Sequence, residues 1–161
     1  MAVVTEGRLR LCETADDLLA VLELFCHPIS LTQTDGLREL RQKVKQESLR
    51  LGLSEERCHD LVTASQEAGM NAVVHVGGGL SRISTNGRNT VQVRVEDGGT
   101  GINVEHLPRT LLEKGYSTAG TLGYGMKMMI LSADRIWLLT GQLGTTVVLE
   151  QDHTTLKHTW L

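Results

Sequence analysis

Hydrophobic and polar positions recur with clear periods along this chain, and the periods divide it into two halves. Between Arg8 and Cys12, arginine and leucine alternate with the two-residue period of a short strand. Thr14-Ala15-Asp16-Asp17 then reads as a capping-box-like helix start, its acids suited to the positive end of the helix dipole. That helix runs to about Phe25, and His27-Pro28 stops it. After Asp35-Gly36, the positions Leu37, Leu40, Val44 and Leu51 stay on one helical face, and Gly52 supplies the C-terminal cap. Ser54-Glu55-Glu56 opens a longer helix, to about Val76. Its Leu61, Ala64, Ala68 and Ala72 make a slim stripe suited to close packing on a sheet, and Gly77-Gly78-Gly79 ends it.

The second half changes character. Val91, Val93 and Val95 alternate with Gln92, Arg94 and Glu96, the pattern of a half-buried strand. Asn86-Gly87 is a hairpin signal, which makes Leu80–Ser84 the partner strand. A short helix is expected near Val104–Glu113, then a glycine-rich loop over Gly115–Gly125, then a helix from Met126 to about Ser132. Strands over Ile136–Thr140 and Thr145–Glu150 follow, joined by the turn Gly141-Gln142-Leu143-Gly144. Helices first and an antiparallel meander later predict an α+β, two-layer α/β sandwich.

Composition sharpens this picture at a few points. The 161 residues suit one domain, with a core large enough to need no disulfide or metal staple. Aromatic residues make up only 3% of the chain and the net charge is −3, which weighs against a base-stacking or phosphate-backbone nucleic-acid binder. No apolar stretch reaches the roughly 18–20 residues of a membrane span, and the N-terminus lacks a signal-peptide pattern, so the expected location is cytoplasmic. Cys12, Cys26 and Cys58 fit no metal-ligand spacing and are expected as free thiols. Glycine is the unusual term. Of the 17 glycines, 14 fall at or after Gly69 and 7 lie between Gly98 and Gly125, where backbone must turn sharply or approach a ligand.

Three groups of residues carry candidate chemistry. Glu67, Asn71 and His75 follow one another at four-residue steps and therefore share a stripe beside the alanine face. Taken alone, the trio also suits a solvated helix flank. Glu96-Asp97-Gly98-Gly99-Thr100-Gly101-Ile102 ends the valine strand with a carboxylate and a run of close glycines, which suits a cleft or a plain turn. Gly115-Tyr116-Ser117-Thr118-Ala119-Gly120-Thr121-Leu122-Gly123-Tyr124-Gly125 leads into a helix N-terminus, a place for phosphate. It is neither a GxxxxGK[ST] loop nor a glycine fingerprint placed directly after a strand.

In this order, Glu-x-x-x-Asn-x-x-x-His, Asp-x-Gly-x-Gly-Ile, Gly-x-x-Gly-x-Gly and a final Gly-Thr resemble the GHKL ATP-binding family. That family includes DNA gyrase, a heat-shock chaperone ATPase, histidine kinases and the MutL repair protein. Lys114–Met126 and Ala68–Gly79 look closest to the bacterial anti-sigma-factor and switch-protein serine/threonine kinases. The resemblance covers about Arg8 to Glu150 and implies that residues 1–161 form a single domain of the Bergerat ATP-binding fold. In that fold, helices lie on one face of a mixed, mainly antiparallel sheet.

The resemblance also implies roles, position by position. Glu67 matches the general base and Asn71 the Mg2+-holding asparagine, while His75 has no role to carry over. Asp97 matches the adenine-reading aspartate, with Gly99, Gly101 and Ile102 passing the purine side. Gly120, Thr121, Leu122, Gly123, Tyr124, Gly125 and Met126 match the phosphate-binding lid and the helix start behind it. Thr145 or Thr146 matches the last-motif threonine near adenine, and Thr146 is assigned to the site. Lys127 suits either a phosphate contact or an exposed helix position. Two positions depart from the family pattern: Asn103 stands where proline is frequent, and Met126 where leucine is usual.

The activity implied is that of a Mg-ATP-dependent serine/threonine protein kinase acting on a STAS-domain anti-sigma-factor antagonist by partner switching. ATP and Mg2+ would be its cofactors. A sigma factor or a phosphatase regulator is a further implied partner, as is a second copy in a homodimer; neither nucleic acid nor membrane is expected. The competing reading is an ATP-gated anti-sigma factor or scaffold that acts by binding, with little catalysis.

Overall fold

A computed structural model describes residues 7–15, 27–32, 34–101 and 122–154. Six strands and three helices fall within them: β1 (Leu9–Cys12), β2 (His27–Ser30), α1 (Thr34–Arg50), α2 (Glu55–Val76), β3 (Leu80–Thr85), β4 (Thr90–Asp97), α3 (Leu122–Ser132), β5 (Arg135–Gly141) and β6 (Gly144–Asp152). The helix expected near Thr14–Phe25, the one near Val104–Glu113 and most of the glycine-rich loop lie outside the described residues.

The strands form one sheet in the order β1-β5-β6-β4-β3-β2. Only β1 and β5 pair in parallel; every other neighbour is antiparallel. The alternation read in the sequence sets the two faces. Val91, Val93, Val95, Val147, Leu149, Ile136 and Leu138 point to one side and merge with Leu40 and Val44 of α1, Leu61, Ala64 and Ala68 of α2, and Met126 and Met129 of α3. Each fully buried Val, Leu or Met contributes about 1.5–3 kcal/mol relative to exposure. All three helices therefore cover the same face, and the result is the expected α+β two-layer sandwich over a mixed, mainly antiparallel sheet.

The long helix is closed as its sequence requires. Ser54 accepts a hydrogen bond from the Arg57 amide at the N-terminus, and Gly77, with φ +85°, sits in the left-handed region at the C-terminus. Gly69 lets α1 and α2 approach closely, since a Cβ there would lie 2.8 Å from Leu37 Cδ2.

Two elements differ from the sequence reading. Residues 27–30, where the preceding helix was expected to stop, form a strand that the sequence reading did not include; among the described residues β2 is an edge strand paired with β3, a position that tolerates Pro28 and its missing amide hydrogen. The last helix begins at Leu122 and not at Met126, so Gly123 and Gly125 are helical. Glycine costs about 1 kcal/mol in a helix relative to alanine. Full burial of Met126 and Met129 against the core outweighs that cost.

A polar cluster ties the far ends of the layers together. Gln151, 1% exposed on the helix-facing side, donates to the carbonyls of Arg57 and Ser132 (3.2 Å each) and accepts from the Asp134 amide at 2.8 Å. Asp134 also pairs with Arg57. On the opposite face Arg135 bonds Glu150 at 2.9 Å and Asp152 at 2.5 Å. The Arg135 guanidinium holds the Asp152 carboxyl below the usual carboxylate range, and Asp152 in turn raises Arg135 further. Among the described residues no helix is long and apolar enough to cross a membrane.

Candidate functional site

The site is assembled around α2, which carries one half of it at mid-length and abuts the other at its C-terminal end. Glu67 and Asn71 are one helical turn apart and both are partly exposed on the flank facing α3. Gly125, in the first turn of α3, is buried against them. A Cβ there would lie 3.0 Å from Glu67 Oε2 and 3.5 Å from both terminal atoms of Asn71, and these are its three nearest heavy atoms. A carboxylate, a carboxamide and a helix N-terminus thus converge. The first amides of a helix lack intrahelical partners and carry the positive end of its dipole, so this point favours anionic oxygen. His75 is exposed in the last turn of α2.

The second half begins where β4 ends. Asp97 Oδ1 accepts from the backbone amides of Gly99 at 3.0 Å and Thr145 at 3.2 Å. Two amide donors on one oxygen fix the carboxylate at the junction of β4, its following turn and β6. The turn is held tightly from both sides: a Cβ on Gly99 would lie 2.7 Å from Val76 Cγ2, and one on Gly101, with φ +90°, would lie 2.5 Å from the Gly141 carbonyl oxygen. Glycine is required at 101 by both conformation and space.

The structure separates the two candidate threonines. Thr145 pairs with Asp97 across β4 and β6, while Thr146 pairs with Glu96. Side chains alternate along a strand, so Thr145 shares the helix-facing side with Asp97 and Thr146 points to the other face. The Thr145 hydroxyl lies 2.9 Å from that of Thr140 on β5. The threonine beside Asp97 is therefore Thr145, a correction to the assignment of Thr146.

Gly144 entered the sequence reading as the glycine of the final Gly-Thr motif, with no role assigned to it at the site. It adopts φ +132°, and a Cβ there would collide with the Asp97 carbonyl oxygen. A glycine opening a strand after a tight turn was the available signal, but that pattern also describes any hairpin. Of the remaining sequence-assigned positions, Ile102, Gly120 and Thr121 lie outside the described residues. Leu122 and Gly123 fall in the opening turn of α3, as does the backbone of Tyr124. Met126 is fully buried and packs into the core. Lys127 is exposed.

A mixed sheet covered on one face by helices, with a carboxylate at a strand end and a carboxylate–carboxamide pair facing a glycine-bearing helix start, defines a two-layer nucleotide-binding architecture. The comparisons agree. The histidine kinase-like ATPase domain family matches residues 30–150, and the chain belongs to that family. Among solved structures, it is similar to the RsbU and RsbW domains of Rv1364c from Mycobacterium tuberculosis, with a TM-score of 0.54 and 18% identity. That match covers 80% of this chain but 34% of the other, so this chain spans about a third of the length of that solved chain. No match is found among curated protein sequences.

Proposed function

We propose that this protein is a Mg-ATP-dependent serine/threonine kinase of the anti-sigma or switch type, acting on a STAS-domain protein. The observation that carries the reading is the placement of Glu67 and Asn71 directly against Gly125 at the start of α3. Family membership supports ATP as the nucleotide, and the likeness to a chain that includes an RsbW domain supports the switch-type reading.

Each residue has a task that its surroundings suit. Asp97 Oδ1 is committed to two backbone amides, which leaves Oδ2 to accept a hydrogen from the adenine amino group. Thr145 and Thr140 add hydroxyls beside it. The opening amides of α3 would receive phosphate oxygens. Glu67, facing the same point, would orient the attacking serine or threonine hydroxyl and accept its proton. The hydroxyl oxygen bonds to the γ-phosphorus as the bond to the β-phosphate oxygen breaks, and ADP leaves.

Magnesium fits this donor set. Among the described residues no group of three or more His, Cys, Asp or Glu could hold a metal ion. A single carboxamide, Asn71, with a cradle that a Cβ on Gly125 would fill, is the sparse protein contribution expected when Mg2+ takes its other ligands from phosphates and water. Bound there, the ion would neutralise phosphate charge.

The test is incubation with γ-labelled ATP and a panel of STAS-domain proteins, using the native chain and Glu67→Gln. Label should move to a serine or threonine of one of them with the native chain, and the variant should bind ATP with unchanged affinity but transfer at least about a hundredfold more slowly. Undiminished transfer by Glu67→Gln would remove Glu67 as the base. Nucleotide-dependent association without label would favour the binding-module reading.

A further inference from the structure

On the outer side of the α1–α2 hairpin, away from the nucleotide residues, lies an open groove of about 760 Å3. Cys58 donates to the Lys45 carbonyl at 3.8 Å and so marks where the two antiparallel helices are in register. From that point Arg41, Lys45 and Leu49 run along the α1 wall at four-residue steps. The α2 wall presents Glu55 at the Leu49 end, His59 beside Lys45, Val62 at the Arg41 end and Gln66 a turn beyond it. Over Glu55–Gln66 the groove is roughly 16 Å long at the helical rise of 1.5 Å per residue.

Two features of this groove do not serve the fold. Leu49 is 45% exposed, a large apolar side chain left beside charge. Among the described residues the Arg41 guanidinium and the Lys45 ammonium form no ion pair, whereas neighbouring Arg38 and Arg50 on the same helix pair with Asp35 and Glu47. Arg41 and Lys45 outweigh the single carboxylate, Glu55, and that carboxylate stands at the far end. The result is a graded surface, cationic over Arg41 and Lys45, with the exposed Leu49 side chain at the other end.

We propose that this groove is the docking site for an acidic amphipathic helix of a partner protein. The spacing specifies the ridge it would insert: carboxylates at i and i+4 against Arg41 and Lys45, and an apolar residue at i+8 against Leu49. A helix laid alongside α1 repeats its four-residue step of about 6 Å, so all three contacts form together. Opposite charge at one end and the Leu49 side chain at the other set the register and direction of the docked helix. Gln66 precedes Glu67, so the docked helix would lie along the same α2 that carries the proposed base. The inference stands on the groove alone and does not depend on nucleotide.

The experiment uses the full chain without nucleotide and a fluorescein-labelled, stapled helical peptide bearing Glu at i and i+4 and Leu at i+8. A control peptide carries Lys in place of both Glu residues. Fluorescence anisotropy should show saturable binding of the acidic peptide that weakens as salt is raised, and no binding of the control. Arg41→Glu/Lys45→Glu should weaken the acidic peptide at least about tenfold, and Leu49→Ser should weaken it at both low and high salt. Arg41→Gln/Lys45→Gln, which avoids clustering acids on α1, should give a loss in the same direction, and thermal melts of each variant establish that it folds. Absent binding, equal binding of both peptides, or undiminished binding to the charge variants would overturn the proposal. So would self-association of the chain, seen by sedimentation and lost in the double variant, because the groove would then belong to a second copy.

Discussion

Asp97 and the two threonines near it show how much one residue's position depends on its partners. The Asp97 carboxylate is held by two amides from different segments, Gly99 and Thr145, so its direction is set before any ligand arrives. Asp97→Asn retains an oxygen for one or both amides but replaces the second acceptor with a donor. ATP affinity should then fall by at least tenfold, equivalent to about 1.4 kcal/mol, in a calorimetric titration. Equal affinity would refute the adenine assignment. Asp97 itself was legible from its place before a glycine run. The choice between Thr145 and Thr146 was not, because a one-residue shift in strand register exchanges the faces and nothing local fixes the register.

At the scale of elements, the decisive contact is between α2 and the first turn of α3. Helical periodicity alone placed Glu67 and Asn71 on one stripe, since a four-residue step returns nearly to the same face. What covers that stripe depends on where α3 starts and how it crosses, and there the glycines pointed to loop. Gly125→Ala separates helix stability from site geometry. Alanine favours a helix over glycine by about 1 kcal/mol, so the melting temperature should hold or rise. The added methyl would crowd Glu67 Oε2 at 3.0 Å. Phosphotransfer should drop at least tenfold while circular dichroism remains native. A variant that melts higher and keeps full activity would show that Glu67 does not work against this face of α3.

Across the whole molecule, the clusters around Gln151 and Arg135 join α2, α3, β5 and β6 at the end remote from Asp97. The Arg135–Asp152 pair makes stability depend on acid. Because Arg135 lowers the Asp152 pKa in the native state, this contribution is complete above the ordinary carboxylate value of about 3.9 and is lost as pH falls below it toward the lowered native value. Arg135→Gln should destabilise by about 1–2 kcal/mol at pH 7, a figure discounted for the part of the arginine that solvent reaches. The difference from the native chain should shrink in urea titrations at pH 3. A loss unchanged between the two pH values would assign the effect to packing instead of charge.

The sequence by itself determined what is local. The alternation of β4, the capped length of α2, the shared stripe of Glu67 and Asn71, and the glycines flanking Asp97 all follow from periods of two or 3.6 residues and from single-residue conformational limits. The edge position of proline-bearing β2 and the parallel pairing of β1 with β5 needed the tertiary structure. So did the early start of α3, the selection of Thr145, the demand for glycine at 144, and the outer groove with its two cations. These are set by neighbours distant in sequence, through burial that overrides glycine's poor helix propensity and through register fixed across strands. No window along the chain contains both sides of such contacts.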